Sequence, residues 1–281
     1  PEILPDRLGG LGKVHRHFVD QMWGLGVSLL SGMTMNFPET PETVREDFRE
    51  IGPSRIITAS RFWEDLASSI RVKMNDAGLL NRALFSLAER IGGRVVEGEE
   101  NRRPAGPALK VLHALARVLV FNPLLDRVGC SQFVSAYTGG HPISPDVIRF
   151  FRACGLNLKQ CYGMTETCGI FQVQPDGEVR PETVGKALPR TEVRISDDQE
   201  VMVLSKSVFS GYFNDYESTE EAFSEGWFRT GDAGYLDDGG HLVIIGRKQD
   251  IIRDKEGNAF SPDFIETRLK FSLYIKEAVV F

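Results

Sequence analysis

The sequence contains few cysteines and no close pair of them. Its four cysteines, at positions 130, 154, 161 and 168, form no C-x-x-C motif, which disfavours a zinc site or a redox-active thiol pair. His15 and His17 have the spacing of metal ligands on a strand, but no third ligand follows nearby. We therefore expect reduced thiols in the core and a cytoplasmic location.

Long apolar runs and an excess of positive charge are also missing. No uninterrupted run of about eighteen apolar residues occurs, so no transmembrane segment is predicted, while peripheral contact with a membrane is compatible with the composition. The formal net charge is −6 with both signs mixed along the chain, which disfavours nucleic acid as a partner. An anionic substrate would have to be neutralised by local groups. The composition indicates no oligomeric state.

Three common catalytic or nucleotide-binding motifs are absent. No G-x-S-x-G occurs, which disfavours a serine hydrolase. The segment GGLGK at 9–13 hints at a phosphate-binding loop, but Val14 stands where that motif needs Ser or Thr, and the glycine spacing is wrong. No complete G-x-G-x-x-G is present, so a dinucleotide-binding fold is disfavoured as well.

The apolar pattern predicts a sheet covered by helices, followed by a β-rich region. With 281 residues, 42% of them hydrophobic, the chain can form a packed core. Predicted strands at 55–59, 132–137 and 156–161, with helices across 61–121, give an α/β rhythm. Two apolar helix stripes are expected to pack on the sheet: Trp63, Leu66, Ile70 and Met74, and Leu84, Leu87 and Ile91.

The segment YGMTET at 162–167 is the candidate centre of a ligand site. It follows a predicted strand and is expected to be a loop, where α/β proteins place ligands. Tyr162, Gly163, Thr165 and Glu166 offer an aromatic ring, a close backbone approach, a hydroxyl and a carboxylate, which suit a purine, a phosphate and a divalent cation. A strand-to-loop turn with an incidental Glu would have the same sequence.

A pair of glycines follows the preceding predicted strand. Gly139 and Gly140, followed by His141, would let the backbone approach a flat or anionic ligand without a clash from a Cβ atom. An ordinary tight turn explains this pair equally well.

Two further segments follow in order, WFRTGD at 227–232 and GRKQDII at 246–252. Together with 162–166 they resemble three ordered signatures of the adenylate-forming superfamily, which includes acyl-CoA synthetases, aryl-CoA ligases, luciferases and peptide-synthetase adenylation domains. The helical insertion across 61–121 is most similar to the long-chain fatty acyl-CoA synthetase branch.

The resemblance implies an α/β fold in three parts. Residues 1–180 would form the α/β part of the large adenylate-forming domain, 181–247 a β-rich subdomain, and 248–281 the start of a small, mobile α+β C-terminal domain. The mobile domain would swing about Gln249, where Asp or Lys is more usual. Lys255 and Gly257 would then approach CoA.

The resemblance also implies how ATP or AMP is bound. Tyr162 would stack on adenine, Asp232 would accept both ribose hydroxyls, and Arg247 would donate to ribose or phosphate. The remaining nucleotide contacts would come from Gly139, Gly140, His141, Gly163 and Met164.

Two residues are implied to act directly in catalysis. Thr165 would hydrogen-bond a phosphate oxygen, and Glu166 would help to hold Mg²⁺.

The implied reaction is ATP-dependent activation of a long-chain fatty acid to acyl-AMP, followed by thioester formation with CoA. Fatty acid, ATP and CoA are therefore the expected partners. Two alternatives are an acyl-AMP ligase that loads a carrier protein and a nucleotide-binding module that has lost catalysis.

Two signatures of the family are not found. A Ser/Thr/Gly-rich phosphate loop ending in Lys-Gly should precede residue 1, and a C-terminal lysine motif should follow residue 281. We therefore expect a fragment that binds AMP weakly and does not form adenylate at a useful rate.

Overall fold

A five-stranded sheet organises the first two thirds of the computed structural model, which describes residues 21–37, 39–40, 43–253, 259–270, 275 and 278–280. Its strands, in spatial as well as chain order, are β1 (Arg55–Ala59), β2 (Ser135–Gly139), β3 (Leu158–Met164), β4 (Gly169–Val173) and β5 (Lys186–Ala187). Strands β1 to β3 are parallel, and β4 and β5 pair antiparallel. The residues after β2 and β3 therefore emerge at the same edge of the sheet.

Helices connect and cover these strands. They are α1 (Val27–Ser31), α2 (Val44–Ile51), α3 (Ser60–Asn75), α4 (Leu79–Glu100), α5 (Pro107–Ala116), α6 (Asn122–Arg127) and α7 (Pro145–Ala153), with π-helical turns at Gln21–Gly26 and Arg117–Phe121. The core lies between them and the sheet. Trp63 and Phe151 are fully buried there, with ring centroids 5.1 Å apart in an edge-to-face arrangement.

One of the two predicted helix stripes is confirmed and the other is wrong. Trp63, Leu66 and Ile70 of α3 are buried, as expected. On α4 the buried residues include Phe85 and Ala88, whereas Leu84 and Leu87 of the predicted stripe are exposed. The buried face is therefore rotated by one residue, because α4 is apolar on more than one side and the pattern alone does not select the face.

The helical layer leaves an apolar surface exposed. Its large exposed side chains are Leu79, Leu80, Leu84 and Leu87 on α4 and Val111, Leu112, Leu115, Val118 and Leu119 on the following helical segment. Pro107–Arg127 is also long and apolar enough to cross a membrane, judged by length and composition alone. The sequence predicts no span because it contains no uninterrupted apolar run of sufficient length. In this segment, Lys110 and Arg117 interrupt the run.

An antiparallel sheet follows, as the β-rich pattern after residue 180 predicts. Its strands are β6 (Thr191–Ile195), β7 (Glu200–Ser205), β8 (Phe223–Ser224), β9 (Trp227–Leu236) and β10 (Leu242–Arg247), with helix α8 (Tyr216–Glu221) before β8. The spatial order is β10-β9-β7-β6, and β8 pairs with β9. A bridge between Gly185 and Leu242 joins this sheet to the end of the first sheet.

The chain continues past β10 in short elements. A 3₁₀ turn at Lys248–Asp250 leads to the hairpin of β11 (Ile252–Arg253) and β12 (Ala259–Phe260), and then to α9 (Pro262–Lys270). A Cβ atom on Gly246 would lie 2.6 Å from Ser261 Oγ, so this segment packs closely on the end of β10.

Gly163 lies in a strand, whereas a loop is predicted there. The sequence predicts a loop from residue 162, but Tyr162, Gly163 and Met164 belong to β3, and the 3₁₀ turn begins only at Thr165. The reason is pairing with β4, which extends the strand to Met164. A Cβ atom on Gly163 would lie 2.1 Å from the Gly169 carbonyl oxygen, so this glycine is required by strand packing.

Candidate nucleotide-binding site

Three strands bring predicted site residues together at one carboxylate. The Tyr162 hydroxyl, on β3, donates to Asp232 Oδ2 on β9 at 2.5 Å. The Arg247 guanidinium, on β10, lies 3.2 Å from Asp232 Oδ1 and also donates to the Thr230 carbonyl at 3.3 Å. Arg247 faces Asp232 directly in the β9–β10 register. The two sheets therefore meet at Asp232.

An irregularity in β9 aims the Asp232 side chain. The pairing of β7 with β9 shifts between Glu200 and Met202, and Gly231 adopts a left-handed conformation with φ of 71°. A residue other than glycine would be strained there. The Thr230 hydroxyl stabilises the turn by donating to the Val201 carbonyl at 2.8 Å and accepting from the Asp232 N–H at 3.2 Å.

The electrostatics of this site are set by burial. The Asp232 side chain is only 10% exposed, and burial raises the pKa of its carboxyl although the Tyr162 hydroxyl and Arg247 oppose the shift. Burial and the neighbouring Asp232 carboxylate raise the pKa of Tyr162 well above its ordinary value. The proton therefore stays on Tyr162, which acts as a donor to Asp232.

The 3₁₀ turn Thr165–Thr167 presents the two residues implied to be catalytic. Thr165 is exposed, and Glu166 is half-buried. Glu166 Oε1 accepts a hydrogen bond of 3.2 Å from the Tyr212 hydroxyl, and the Glu166 carbonyl accepts one of 2.8 Å from the Phe209 N–H. The loop after β7 thus holds this turn, a contact that the sequence does not predict.

Gly139 and Gly140, at the end of β2, have different structural roles. A Cβ atom on Gly139 would lie 2.8 Å from the Cys161 carbonyl oxygen, so Gly139 is required by packing against β3. Gly140 has a φ of 86°, and a Cβ atom placed on it would have no neighbour within 4 Å, so it supplies an open, left-handed turn. His141 follows as an exposed residue.

The remaining predicted residues lie around this site or outside the described part of the chain. Met164 ends β3 and is half-buried. Gln249 is exposed in the 3₁₀ turn after β10. Lys255 and Gly257 fall outside the described residues.

The fold and the site define a mixed α/β protein in which a buried acid, an aromatic ring and an arginine converge, as in a mononucleotide-binding site. A family model described as AMP-binding enzyme matches residues 15–213, more than half of the chain. The chain belongs to this family, and the suspected adenylate-forming ancestry is confirmed.

Curated relatives support a more specific comparison. The chain is 31% identical over 252 residues to the long-chain-fatty-acid–CoA ligase FadD15 of Mycobacterium tuberculosis, covering 89% of this chain and 41% of the relative. It is 30% identical to the peroxisomal long chain acyl-CoA synthetase 7 of Arabidopsis thaliana, covering 79% of this chain and 32% of the relative. The chain thus spans about two fifths or less of these relatives.

Solved structures confirm the fold class. The adenylation domain of a carboxylate reductase from Mycobacterium chelonae matches with a TM-score of 0.58 at 15% identity, covering 84% of this chain and 33% of that chain. The amide bond synthetase McbA from Marinactinospora thermotolerans matches with a TM-score of 0.52 at 25% identity, covering 84% of this chain and 40% of that one. The first likeness concerns the fold alone.

The raised pKa of Asp232 predicts that its ionised carboxylate destabilises the unliganded fold. The folded-state pKa lies above the unfolded value, so the free energy of unfolding falls as the pH rises through this range and stays lower above it. Asp232→Asn is therefore expected to raise the melting temperature at about pH 7, and the gain should disappear towards about pH 4.

Asp237→Asn is the matched control with the opposite sign. Burial would raise the pKa of Asp237, but hydrogen bonds from the His241 and Gly239 N–H groups and from Arg180 lower it. Removal of this carboxylate should lower the melting temperature at about pH 7. Thermal unfolding at both pH values checks the pair, and a lower melting temperature for Asp232→Asn at neutral pH would contradict the assignment.

Proposed function

We propose that this chain carries the nucleotide-binding part of an acid–thiol ligase, which activates a long-chain fatty acid with ATP to acyl-AMP and then forms a thioester with CoA. This proposal rests on the contacts that Tyr162 and Arg247 make with the Asp232 carboxylate. The names of the curated relatives, which are long-chain fatty-acid–CoA ligases, support the choice of substrate.

The geometry suits the recognition of a ribose. An ionised carboxylate can accept about four hydrogen bonds, and Tyr162 and Arg247 occupy part of this capacity at Asp232. Both hydroxyls of a ribose would fill the rest. Because the carboxylate is already buried and fixed, little freedom would be lost on binding.

The chemistry requires two anions to meet. A fatty acid carboxylate must attack the α-phosphate of ATP in line, so the site has to neutralise charge and hold the reactants in place. Arg247 is 58% exposed while it contacts Asp232, so its guanidinium is accessible to a phosphate or a ribose oxygen. Thr165, exposed on its turn, would donate to a phosphate oxygen.

A magnesium ion fits Glu166 as a single protein ligand. The described residues contain no cluster of three or more His, Cys, Asp or Glu side chains that could hold a metal ion by themselves. Mg²⁺ is commonly held by one or two carboxylates together with substrate phosphates, and Glu166 offers one carboxylate beside the proposed phosphate position. When bound, Mg²⁺ would neutralise phosphate charge.

We extend this proposal to the acceptor of the acyl group and to the motion of residues 248–281. Gln249 follows β10 in an exposed turn, which suits a hinge about which residues 248–281 move relative to 1–180 and 181–247. CoA is the proposed acceptor, with Lys255 and Gly257 near it. Transfer to a carrier protein is the alternative within enzymes, and a catalytically inactive nucleotide-binding module is the alternative outside them.

We propose a cytoplasmic location, which is supported by the thiols. All four cysteines are unpaired, and Cys130, Cys154 and Cys161 are buried, as expected. The expectation is wrong for Cys168, which is exposed. Burial raises the pKa of Cys130 to about 12, so this thiol would remain protonated and unreactive at neutral pH.

The apolar surface formed by α4, α5 and the π-helical turn Arg117–Phe121 supports peripheral contact with an anionic membrane. Leu80 is 72% and Leu119 73% exposed. Residues 79–88 and 107–125 carry Arg82, Lys110 and Arg117. The acidic residues Glu89 and Asp126 directly follow these ranges, and Glu89 is paired with Arg71 at 3.4 Å. An apolar surface that carries cations matches an anionic lipid surface.

Vesicle sedimentation checks this surface. The chain should sediment with phosphatidylglycerol vesicles more than with phosphatidylcholine vesicles, and Leu119→Ser should reduce this on the order of tenfold. Val134→Ser, at a 67% exposed residue outside the surface, is the control. Equal sedimentation with both lipids, or Leu119-dependent dimers without vesicle binding, would overturn the membrane assignment.

Calorimetry with AMP and 2′,3′-dideoxy-AMP tests whether Asp232 recognises the ribose. Wild-type chain should bind AMP more tightly than the dideoxy ligand, because only AMP has the ribose hydroxyls. Asp232→Asn should weaken AMP binding by roughly 10- to 100-fold, and should leave binding of the dideoxy ligand nearly unchanged.

An acyl-sulfamoyl adenosine, a nonhydrolysable analogue of acyl-AMP, separates a ligase from an inactive nucleotide-binding module. Tighter binding of this analogue than of AMP supports a ligase, whereas equal binding supports an inactive nucleotide-binding module. Asp232-independent binding of AMP, or no binding of either ligand, would rule out the proposed site.

A further inference from the structure

Glu200 is a buried carboxylate that none of the predicted roles uses. It begins β7, and its side chain is only 4% exposed. Glu200 Oε2 accepts from Arg229 Nη2 at 2.8 Å and Nε at 3.1 Å, and Oε1 accepts from the Gly231 N–H at 3.0 Å. A buried charge persists only when it is paired and hydrogen-bonded in this way.

The contact with Gly231 lies at the irregularity of β9. In the register of β7 with β9, Met202 pairs with Arg229 and Glu200 with Ala233. Three residues of β9, at 230–232, thus lie opposite Val201 alone, so the backbone of Gly231 leaves the regular ladder. Glu200 accepts a hydrogen bond from the Gly231 N–H, and Gly231 directly precedes Asp232. A bulge of this kind changes the direction of a side chain.

The Glu200 carboxylate also contacts Lys248, the residue that follows β10. Lys248 Nζ donates to Glu200 Oε2 at 3.0 Å and also contacts the Asp198 carboxylate. Lys248 directly follows Arg247 and directly precedes Gln249. Glu200 therefore connects the turn that carries Asp232 with the strand end that carries Arg247.

Glu200 is ionised at neutral pH. Burial alone would raise its pKa, but hydrogen bonds from Arg229, Lys248 and the Gly231 N–H lower the pKa below its ordinary value. Its charge is thus compensated by contacts on both oxygens.

We propose that Glu200 is a positioning residue for ribose recognition, which fixes the Gly231 bulge so that the Asp232 carboxylate points at the nucleotide. The inference rests on the proposed nucleotide site and adds a residue that acts through Asp232 without touching the ligand.

A double-mutant cycle tests this role. In Glu200→Gln, the amide has only one acceptor oxygen, whereas Gly231, Arg229 and Lys248 all donate to Glu200. The NH₂ group must therefore face either the Gly231 N–H or the two cations, where it cannot accept a hydrogen bond. The variant should weaken AMP binding on the order of tenfold. In an Asp232→Asn background the same change should have less than about a twofold effect, because both residues act through one carboxylate.

An NMR measurement gives a readout that does not depend on a ligand. The Gly231 amide resonance should shift in Glu200→Gln, since its acceptor changes. Glu178→Gln is the matched control, because Glu178 forms a surface ion pair with Lys186. This control should leave AMP affinity unchanged. If Glu200→Gln does not fold, Glu200→Asp, which keeps the charge but shortens the side chain, enters the same cycle.

The outcomes distinguish the two proposals. Equal losses from Glu200→Gln in both backgrounds would show a general structural effect and overturn the positioning role. No loss from Glu200→Gln, with AMP binding still weakened by Asp232→Asn, would overturn the positioning role as well, while the nucleotide site stands. Absence of AMP binding by the wild-type chain would defeat the proposed site itself.

Discussion

The buried carboxylate of Asp232 is the interaction on which the rest of the site depends. An ionised carboxyl group in a protein interior is costly unless charged or hydrogen-bonding partners surround it. Here the partners come from two sheets: Tyr162 from the first sheet and Arg247 from the second. The raised pKa shows that these contacts compensate the burial only in part. A ligand that adds hydrogen-bond donors would complete the compensation.

Backbone geometry determines where these side chains point. Gly163 allows β4 to approach β3 so closely that Tyr162 remains in the strand. Gly231 allows the turn in β9 that presents Asp232, and Glu200 satisfies the N–H group that this turn frees. The specific positions of the functional groups thus depend on residues that need not contact a ligand.

The resemblance predicts which site residues lie together better than the sequence pattern predicts their local structure. The resemblance of 162–166, 227–232 and 246–252 to three family signatures predicts that Tyr162, Asp232 and Arg247 lie together, and the structure brings them together. The roles assigned to them remain proposals. The sequence does not predict the strand conformation of Tyr162 and Gly163, because this conformation depends on pairing with β4, and no strand is predicted at residues 169–173. Leu84 and Phe85 of α4 are both apolar, so the sequence does not indicate which of them is buried. Packing against neighbouring elements decides this, and it buries Phe85.

Glu200 shows a sequence feature whose role becomes apparent only in the fold. A single acidic residue begins the apolar strand EVMVL at 200–204, and a charged group at such a position needs a reason. Its partners, Arg229 and Lys248, are 29 and 48 residues away in the sequence, so only the fold reveals the connection. The loop residue Tyr212, which contacts Glu166, is a similar case.

A crystal structure of the chain with AMP tests the central claim most directly. The account predicts both ribose hydroxyls within about 3.2 Å of the Asp232 carboxylate and the adenine ring against Tyr162. A nucleotide bound elsewhere, with Asp232 contacting only Tyr162 and Arg247, would contradict it.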